Sequence, residues 1–171
     1  MKYKIRNVKI SVKTTPIALN NVLLLSNKVQ KVKDCKNFVV LKDTYTYSIF
    51  KTNKKKLENH INITNIPNLE KVQDAIQHLK KHFKFCAKHV KIDNIMATSN
   101  VGKPIDLISV CERKLFENIK YNSEVFPGLH VKFEKGSVIL FHSGKVVIVG
   151  TKNKQDLKCL IQNISAAMKT L

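Results

Sequence analysis

Acidic residues are scarce in this chain: among 171 residues, 12 Asp and Glu stand against 31 Lys and Arg. With so few acids, so widely scattered, catalysis by a pair of carboxylates is not expected. The phosphate-binding pattern GxxxxGK[ST] and the nucleophile pattern GxSxG are absent, and the six histidines form neither HExxH nor HxH. His78 and His82 share one face of a predicted helix, but no Cys or carboxylate ligand is obvious near them. We therefore predict no enzyme, no cofactor and no metal.

Paired cysteines and long apolar runs are also missing. The four cysteines are far apart and form no CxxC pair, so we expect reduced thiols rather than a disulfide framework or a zinc site. Two disulfides stay open as an alternative. The N-terminus lacks the apolar core of a signal peptide, and no apolar run approaches the roughly 20 residues of a membrane span. The expectation is a soluble intracellular protein without a membrane partner. The cysteines are Cys35, Cys86, Cys111 and Cys159.

Positive charge is what the chain has in excess, with a formal net charge of +19. Such a charge favours a polyanionic partner, although a lysine-rich solvated surface in a compositionally biased proteome is the alternative. Residues 1–89 carry 19 Lys and Arg against 5 Asp and Glu, a net +14, whereas residues 90–171 carry 12 against 7, a net +5. A hydrophobic content of 43% argues against disorder.

Two halves of the chain repeat the same landmarks in the same order, which indicates an internal duplication. The matched segments are separated by 87 to 91 residues. They are Lys4–Val8 with Lys91–Ile95, Pro16–Leu19 with Pro104–Leu107, Asn37–Val39 with Val125–Pro127, and Phe50–Lys54 with Phe141–Lys145. We predict a first, strongly basic repeat over residues 1–88 and a second repeat over residues 89–171.

The secondary-structure pattern repeats as well, as β-α-β-β-β-β-α twice. Alternation predicts strands at 3–12 and 89–97, and apolar stretches after a proline predict helices at Pro16–Lys28 and Pro104–Glu117. Amphipathic helices are predicted at Leu69–Lys81 and Lys154–Leu171. The remaining strands are predicted at Phe38–Lys42, Tyr45–Phe50, Ile61–Thr64, His130–Phe133, Ser137–Phe141, Lys145–Val149 and near Val29–Val32. The fold class is α+β, with helices covering one face of a single antiparallel sheet.

Three segments of the second half resemble one family. They are Lys91–Ile95 (KIDNI), Phe126–Leu129 (FPGL) and Phe141–Val147 (FHSGKVV), and together they resemble the second repeat of the TATA-box-binding proteins. In the first half the resemblance depends mainly on the internal repeat. It implies a curved saddle with helices on the convex face. The implied function is that of a general transcription initiation factor, which binds AT-rich, TATA-like promoter DNA in the minor groove and bends it.

The resemblance implies the DNA contacts residue by residue. Paired phenylalanines wedge between base steps in this family. For Phe126, which Pro-Gly follows in a predicted loop tip, we favour the wedge over ordinary core packing; for Phe50 both remain open. Asn7 and Asn94 match asparagines that donate to minor-groove acceptors. The implied wedges are Phe38, Phe50, Phe126 and Phe141, and the implied groove-floor residues are Met96, Ile139, Val147 and Val149.

The first repeat departs further from the family pattern. Lys9 and Ser48 take positions that are apolar in the family, and in the second repeat Val149 replaces a threonine. We hypothesise that the first repeat depends more on attraction to phosphates than on shape. The expected phosphate contacts are Lys9, Lys42 and Lys54 in the first repeat and Lys132, Lys145 and Lys152 in the second.

The resemblance also implies protein partners. Glu124 and Val125 match the site for a transcription factor B-type protein, although Asn122 stands where the family has a second acid. RNA polymerase machinery is a further expected partner. The expected location is the nucleus, or a cytoplasmic site of viral transcription if the source is a large DNA virus. The alternative is the same fold without TATA specificity, as an accessory protein that binds an RNA–DNA hybrid or DNA.

Overall fold

A computed structural model describes residues 1–18, 31–34, 37–50 and 58–170. Within these ranges the chain has ten strands and three α-helices. The strands are β1 (Tyr3–Thr14), β2 (Lys31–Asp34), β3 (Phe38–Lys42), β4 (Thr46–Phe50), β5 (Asn59–Ile66), β6 (Ala87–Asn100), β7 (Ile119–Asn122), β8 (Phe126–Phe133), β9 (Gly136–Phe141) and β10 (Lys145–Thr151). The helices are α1 (Val72–Lys80), α2 (Leu107–Glu112) and α3 (Lys154–Ala167).

The chain forms two compact units that do not coincide with the two predicted repeats. The first unit is Asn7–Asp93, and the second combines Met1–Arg6 with Asn94–Leu171. Strands β1 and β6 each begin in one unit and end in the other. The repeat boundary after residue 88 therefore stays a prediction from the sequence. The first six residues belong to the compact unit that contains most of the second half of the chain.

In the first unit, α1 covers one face of an antiparallel sheet with the strand order β2-β3-β4-β5-β1. Alternate residues of each strand point to the same face, so every second side chain is buried beneath the helix. The helix contributes Ile76 and Leu79 to this core, and the Tyr47 hydroxyl donates a hydrogen bond to the Ala75 carbonyl over 3.1 Å. Before α1, a 3-10 turn over Leu69–Lys71 begins after Asn68, whose side chain accepts from the Lys71 N–H.

The second unit contains the helices α2 and α3 and an antiparallel sheet with the strand order β6-β10-β9-β8-β7. Helix α3 begins after Asn153, whose side chain accepts a hydrogen bond from the Asp156 N–H over 2.8 Å. Its apolar stripe is buried, as the 3.6-residue period predicts. The buried residues of α3 are Leu157, Leu160, Ile161 and Ile164.

Most predicted elements are confirmed, and two need correction. The helix predicted over Pro104–Glu117 is only Leu107–Glu112, because the Asp106 side chain caps it by accepting from the N–H groups of Ile108 and Ser109. Hydrogen bonds from Ser109 and Ile108 also lower the pKa of the Asp106 carboxyl. At its other end Lys114 has a φ of 46°, which ends the helix. Phe126 is the first residue of β8 and not part of a loop tip.

The structure describes only part of the elements predicted for residues 16–32 of the first repeat. Residues 16–18 are not helical, and Ile17 is anchored by a 2.8 Å hydrogen bond from its N–H to the Asn59 side chain. The rest of the helix predicted over Pro16–Lys28 lies outside the described residues. So does Val29, while β2 begins at Lys31.

Candidate nucleic-acid interface

The sheet of the second unit has one face that no described helix covers, called here its open face. Side chains on this face are partly exposed, whereas their neighbours along each strand are buried. Most of them are apolar, so a largely nonpolar surface is available to a ligand. The open face of the second unit consists of Met96, Thr98, Phe126, His130, Ile139, Phe141, Val147 and Val149.

A pair of aromatic rings lies at the β8–β9 end of this face. The ring centroids of Phe126 and Phe141 are 6.0 Å apart at an interplanar angle of 63°, and Phe126 is 39% exposed. Gly128 lies opposite Phe141 in the β8–β9 ladder. A Cβ at Gly128 would come within 2.6 Å of a Phe126 ring carbon and 3.1 Å of a Phe141 ring carbon. The ring pair therefore depends on glycine at this position.

Asn94 is held by a bulge in the adjacent strand. The register between β6 and β10 shifts between Ile148 and Thr151, and there the Gly150 N–H donates to the Asn94 Oδ1 over 2.6 Å. Because a backbone N–H can only donate, the contacting side-chain atom must be the amide oxygen. The Asn94 Nδ2 takes no part in this contact and is a donor. Gly150 has a φ of 88°, a conformation that suits glycine.

In the first unit, Asn7 is held by a bulge in the same way. The register between β1 and β5 shifts between Val8 and Ile10, and the Asn65 N–H donates to the Asn7 Oδ1 over 3.0 Å. Asn65 has a φ of 64°, which asparagine tolerates better than most residues. Two asparagines, each clamped by a bulge, therefore occupy matching positions.

The open face of the first unit is mostly polar, apart from one aromatic pair and Val40. Phe38 and Phe50 are direct neighbours across β3 and β4, with ring centroids 5.6 Å apart. Lys9 lies opposite the bulge at the position of Met96, and Ser48 lies at the position of Ile139. The open face of the first unit consists of Lys9, Ser11, Phe38, Val40, Ser48, Phe50, Asn62 and Thr64.

The strand registers correct one expected match between the repeats. Phe38 is opposite Phe50, and Gly128 is opposite Phe141, so Phe38 corresponds to Gly128. The sequence offset that paired Phe38 with Phe126 is wrong by two residues. The position that does correspond to Phe126 is Lys36, outside the described residues. Phe50 and Phe141 match as predicted.

The predicted phosphate contacts are spread over both units. Lys42 is exposed at the end of β3, on the same side as Phe38. In the second unit Lys132 and Lys145 are exposed on the open-face side of β8 and β10, and Lys152 is exposed directly after β10. Lys54 lies outside the described residues. Lys13 and Lys91, which were not among the predicted contacts, line one depression with Lys9 and Asn62. Strict alternation along β1 places Lys13 on the same side as Lys9.

Glu124 and Val125 form the tip of a turn between β7 and β8. The Asn122 side chain accepts from the Glu124 N–H over 3.1 Å, and the Asn122 carbonyl accepts from the Val125 N–H over 3.2 Å. Val125 is 81% exposed, which is unusual for an apolar residue held in an ordered turn. The turn thus presents one apolar and one acidic side chain at the edge of the sheet.

Comparison with known proteins finds a sequence match in the second half and a structural match over the whole chain. The model of the family described as "Transcription factor TFIID (or TATA-binding protein, TBP)" matches residues 89–171. The solved structure of Methanococcus jannaschii TBP superimposes with a TM-score of 0.82 at 25% identity, and all of both chains is covered. In its second half by sequence, and over the whole chain by fold, this chain is similar to the TATA-binding proteins.

Sequence relatives named TATA-box-binding protein match about half of this chain. The TATA-box-binding protein of Methanothermobacter thermautotrophicus is 40% identical over 84 residues, which are 48% of this chain and 45% of that protein. The TATA-box-binding protein of Methanothrix thermoacetophila is 37% identical over 84 residues with the same coverage. The chain thus spans less than half the length of these curated relatives.

Two expectations gain support from these comparisons. The α+β fold of the TATA-binding proteins, expected from the sequence, is confirmed over the whole chain by the structural match. The family description names a transcription factor and not an enzyme. Among the described residues, no helix is long and apolar enough to cross a membrane.

Proposed function

We propose that this protein is a general transcription initiation factor that binds AT-rich, TATA-like promoter DNA in the minor groove and bends it. The observation that carries this proposal is the Phe126–Phe141 pair above Gly128, at the edge of a nonpolar open face. A contiguous apolar patch on the surface of a sheet is typical of a binding site. A base step opened by a wedge would cover this patch.

The wedge would work by replacement of lost stacking. When a base step opens, the bases lose contact with each other, and an apolar ring inserted between them restores part of it. Phe126 and Phe141 would act as one pair, and Phe38 and Phe50 as a second. The kinked duplex would then contact more of each open face.

The groove floor and the asparagines would select A·T pairs. A·T and T·A pairs both present only acceptors in the minor groove, the adenine N3 and the thymine O2. The Nδ2 groups of Asn7 and Asn94 are donors held in place by the bulges. A G·C pair would place its exocyclic amine against the nonpolar floor, at the cost of an unsatisfied donor. The proposed floor residues are Met96, Ile139, Val147 and Val149.

Lysines would contact phosphates on either side of the groove. Contacts of this kind add affinity without sequence preference and make binding steeply dependent on salt. The proposed contacts are Lys9, Lys42 and Lys54 with the first unit and Lys132, Lys145 and Lys152 with the second.

The turn at Glu124 and Val125 would receive a transcription factor B-type partner, and through it RNA polymerase machinery. An exposed apolar side chain beside a carboxylate suits a partner surface with an apolar pocket and a nearby cation. We propose that the protein acts by binding alone, without catalysis, in the nucleus or at a cytoplasmic site of viral transcription.

A bending assay on an AT-rich duplex tests the proposal. Phe126→Ala and Phe141→Ala should each weaken binding and reduce the bend angle. Phe133→Ala is the matched control, since Phe133 ends the same strand on the side opposite the open face. All variants are first checked for folding by circular dichroism. If the two open-face variants bind and bend as the unchanged protein does, the wedge mechanism is wrong.

The polar open face of the first unit favours a second candidate, nucleic-acid binding without TATA specificity. Lys9, Ser48 and Asn62 replace apolar positions and would accept a wider, more hydrated groove. Affinities for AT-rich duplex, GC-rich duplex and RNA–DNA hybrid, measured at one salt concentration, separate the two. A clear preference for AT-rich DNA supports initiation; equal affinities, or preference for the hybrid, support the accessory role.

A further inference from the structure

The first unit brings three metal-binding side chains together on the helix-bearing side of its sheet. Asp43 comes from the turn between β3 and β4, His78 from α1, and His82 from the turn after α1. One ligand atom from each residue lies within 4.8 Å of the others. The two histidines are four residues apart on one helical face, but the carboxylate is 35 residues earlier in the chain.

His78 contacts Tyr47 through its Nδ1, and its Nε2 is the nitrogen on the side of this cluster. The Tyr47 hydroxyl donates its single proton to the Ala75 carbonyl, so towards the His78 Nδ1, 3.1 Å away, its oxygen can only accept. In the tautomer that has the hydrogen on Nδ1, the Nε2 of a neutral ring has a lone pair. That lone pair faces the Asp43 Oδ2 at 3.6 Å.

His82 supplies an independent observation. Its Nε2 is buried, has no hydrogen-bond partner and lies 3.6 Å from the same Asp43 oxygen. The His82 side chain is only 11% exposed. A buried polar nitrogen without a partner is costly, and in native structures it calls for a group that satisfies it.

The spacing fits a shared metal ion better than a shared proton. A charged hydrogen bond between imidazolium and carboxylate would bring nitrogen and oxygen to about 2.7–2.9 Å. Ligands bound to one tetrahedral zinc at about 2.0–2.1 Å lie roughly 3.3–3.4 Å apart. The two Nε2–Oδ2 distances of 3.6 Å are close to the second value.

We propose that Asp43, His78 and His82 bind a divalent transition-metal ion, with zinc as the first choice. Two imidazoles and one carboxylate suit zinc, and water would take the fourth position. Tyr47 would orient His78 from the second layer, as hydrogen-bonded groups behind metal-binding histidines do. The ion would join the β3–β4 turn to α1 on the side opposite Phe38 and Phe50.

Zinc titration of the full chain, stripped of metal by a chelator, tests the proposal. Isothermal titration calorimetry should show one Zn²⁺ per chain and no uptake of Mg²⁺, which prefers oxygen ligands. His82→Gln and Asp43→Asn should each weaken zinc binding by at least roughly tenfold. His89→Gln and Asp74→Asn are the matched controls and should stay within about twofold, because neither residue belongs to the cluster.

A spectroscopic measurement on the unchanged protein covers the case in which a variant fails to fold. Long-range proton–nitrogen spectra report the protonation and ligation of each histidine nitrogen. Saturating Zn²⁺ should shift the Nε2 signals of His78 and His82 and leave those of His89 in place. Unshifted signals, or equal zinc affinity in the unchanged protein and both ligand variants, would overturn the proposal and leave a proton-binding cluster.

Discussion

The open faces of the two units have the same strand pattern and opposite character. At four matched positions the second unit has an apolar side chain where the first has a polar or charged one. These pairs are Met96 with Lys9, Val147 with Asn62, Ile139 with Ser48, and Val149 with Thr64. The buried faces are alike, since Ile, Val and Leu dominate both. Packing against the helices constrains one side of each sheet, and the other side is free to change with its ligand.

What both open faces retain is equally informative. Each has a pair of phenylalanines and an asparagine held by a bulge. We infer that the aromatic pair and the clamped asparagine are parts of the proposed DNA site that both units share, whereas the groove floor distinguishes the two units. The following predictions test that inference.

Gly128→Val should have the largest effect on DNA binding. Its side chain would collide with both rings of the Phe126–Phe141 pair and displace them from the open face. Stacking of a base on an aromatic ring contributes about 1–3 kcal/mol, so loss of two rings should weaken binding roughly a hundredfold. Fluorescence anisotropy with a labelled AT-rich duplex measures it. Gly128→Ala places the same Cβ and should give most of this loss; near-normal affinity for both variants would contradict the account.

Val147→Asn should weaken binding by about tenfold, whereas its counterpart Asn62→Val should strengthen binding to AT-rich duplex. The first change puts a polar amide against a nonpolar floor, at a cost of about 1–3 kcal/mol for an unsatisfied group. The second removes such an amide from the matching position. Competition assays with AT-rich and GC-rich duplexes measure both. Equal effects of the same sign would show that the two faces do not differ in function.

Asn94→Asp should weaken binding by roughly fivefold while the fold stays intact. The carboxylate still accepts from the Gly150 N–H, but it cannot donate to a base, and a lost hydrogen bond costs about 0.5–1.5 kcal/mol. Asn7→Asp should behave alike. Asn153→Asp, at the start of α3, is a control that adds the same charge. Unchanged DNA affinity of Asn94→Asp would exclude the donor role.

Lys9→Met should have the smallest effect, seen mainly in the dependence on salt. Removal of one phosphate contact should lower the slope of log affinity against log salt by about 1. Lys88→Met is the control, because Lys88 forms an ion pair with Glu58 at 2.9 Å. The slope comes from binding measured between low and moderate salt. An unchanged slope for Lys9→Met would show that the first unit does not use this lysine on phosphate.

Local pattern was enough to predict much of this structure. Strand β3 has its predicted bounds, and α1 and α3 begin within a few residues of prediction, because alternation and helical period report burial directly. The matched asparagines were also visible in the sequence. Their bulges were not, since a register shift depends on the partner strand.

Features that depend on distant contacts were missed. The predicted helix at Pro104–Glu117 is shorter because one capping carboxylate fixes its first turn. The role of Gly128 follows from the ladder to β9, and the approach of Asp43 to the two histidines follows from the fold of the first unit. The third ligand, Asp43, could not be predicted from the sequence, because it lies 35 residues before His78 in the chain.

The first six residues belong to the second unit, and this affects how the protein can be dissected. The Ser99 hydroxyl donates to the Lys2 carbonyl over 2.6 Å, and the Arg6 Nε donates to the Thr98 hydroxyl over 2.9 Å. A fragment cut at residue 88 would lose both contacts and expose one edge of its sheet. To express the second unit by itself, a linker would have to join residues 1–6 to the fragment that starts at Asn94.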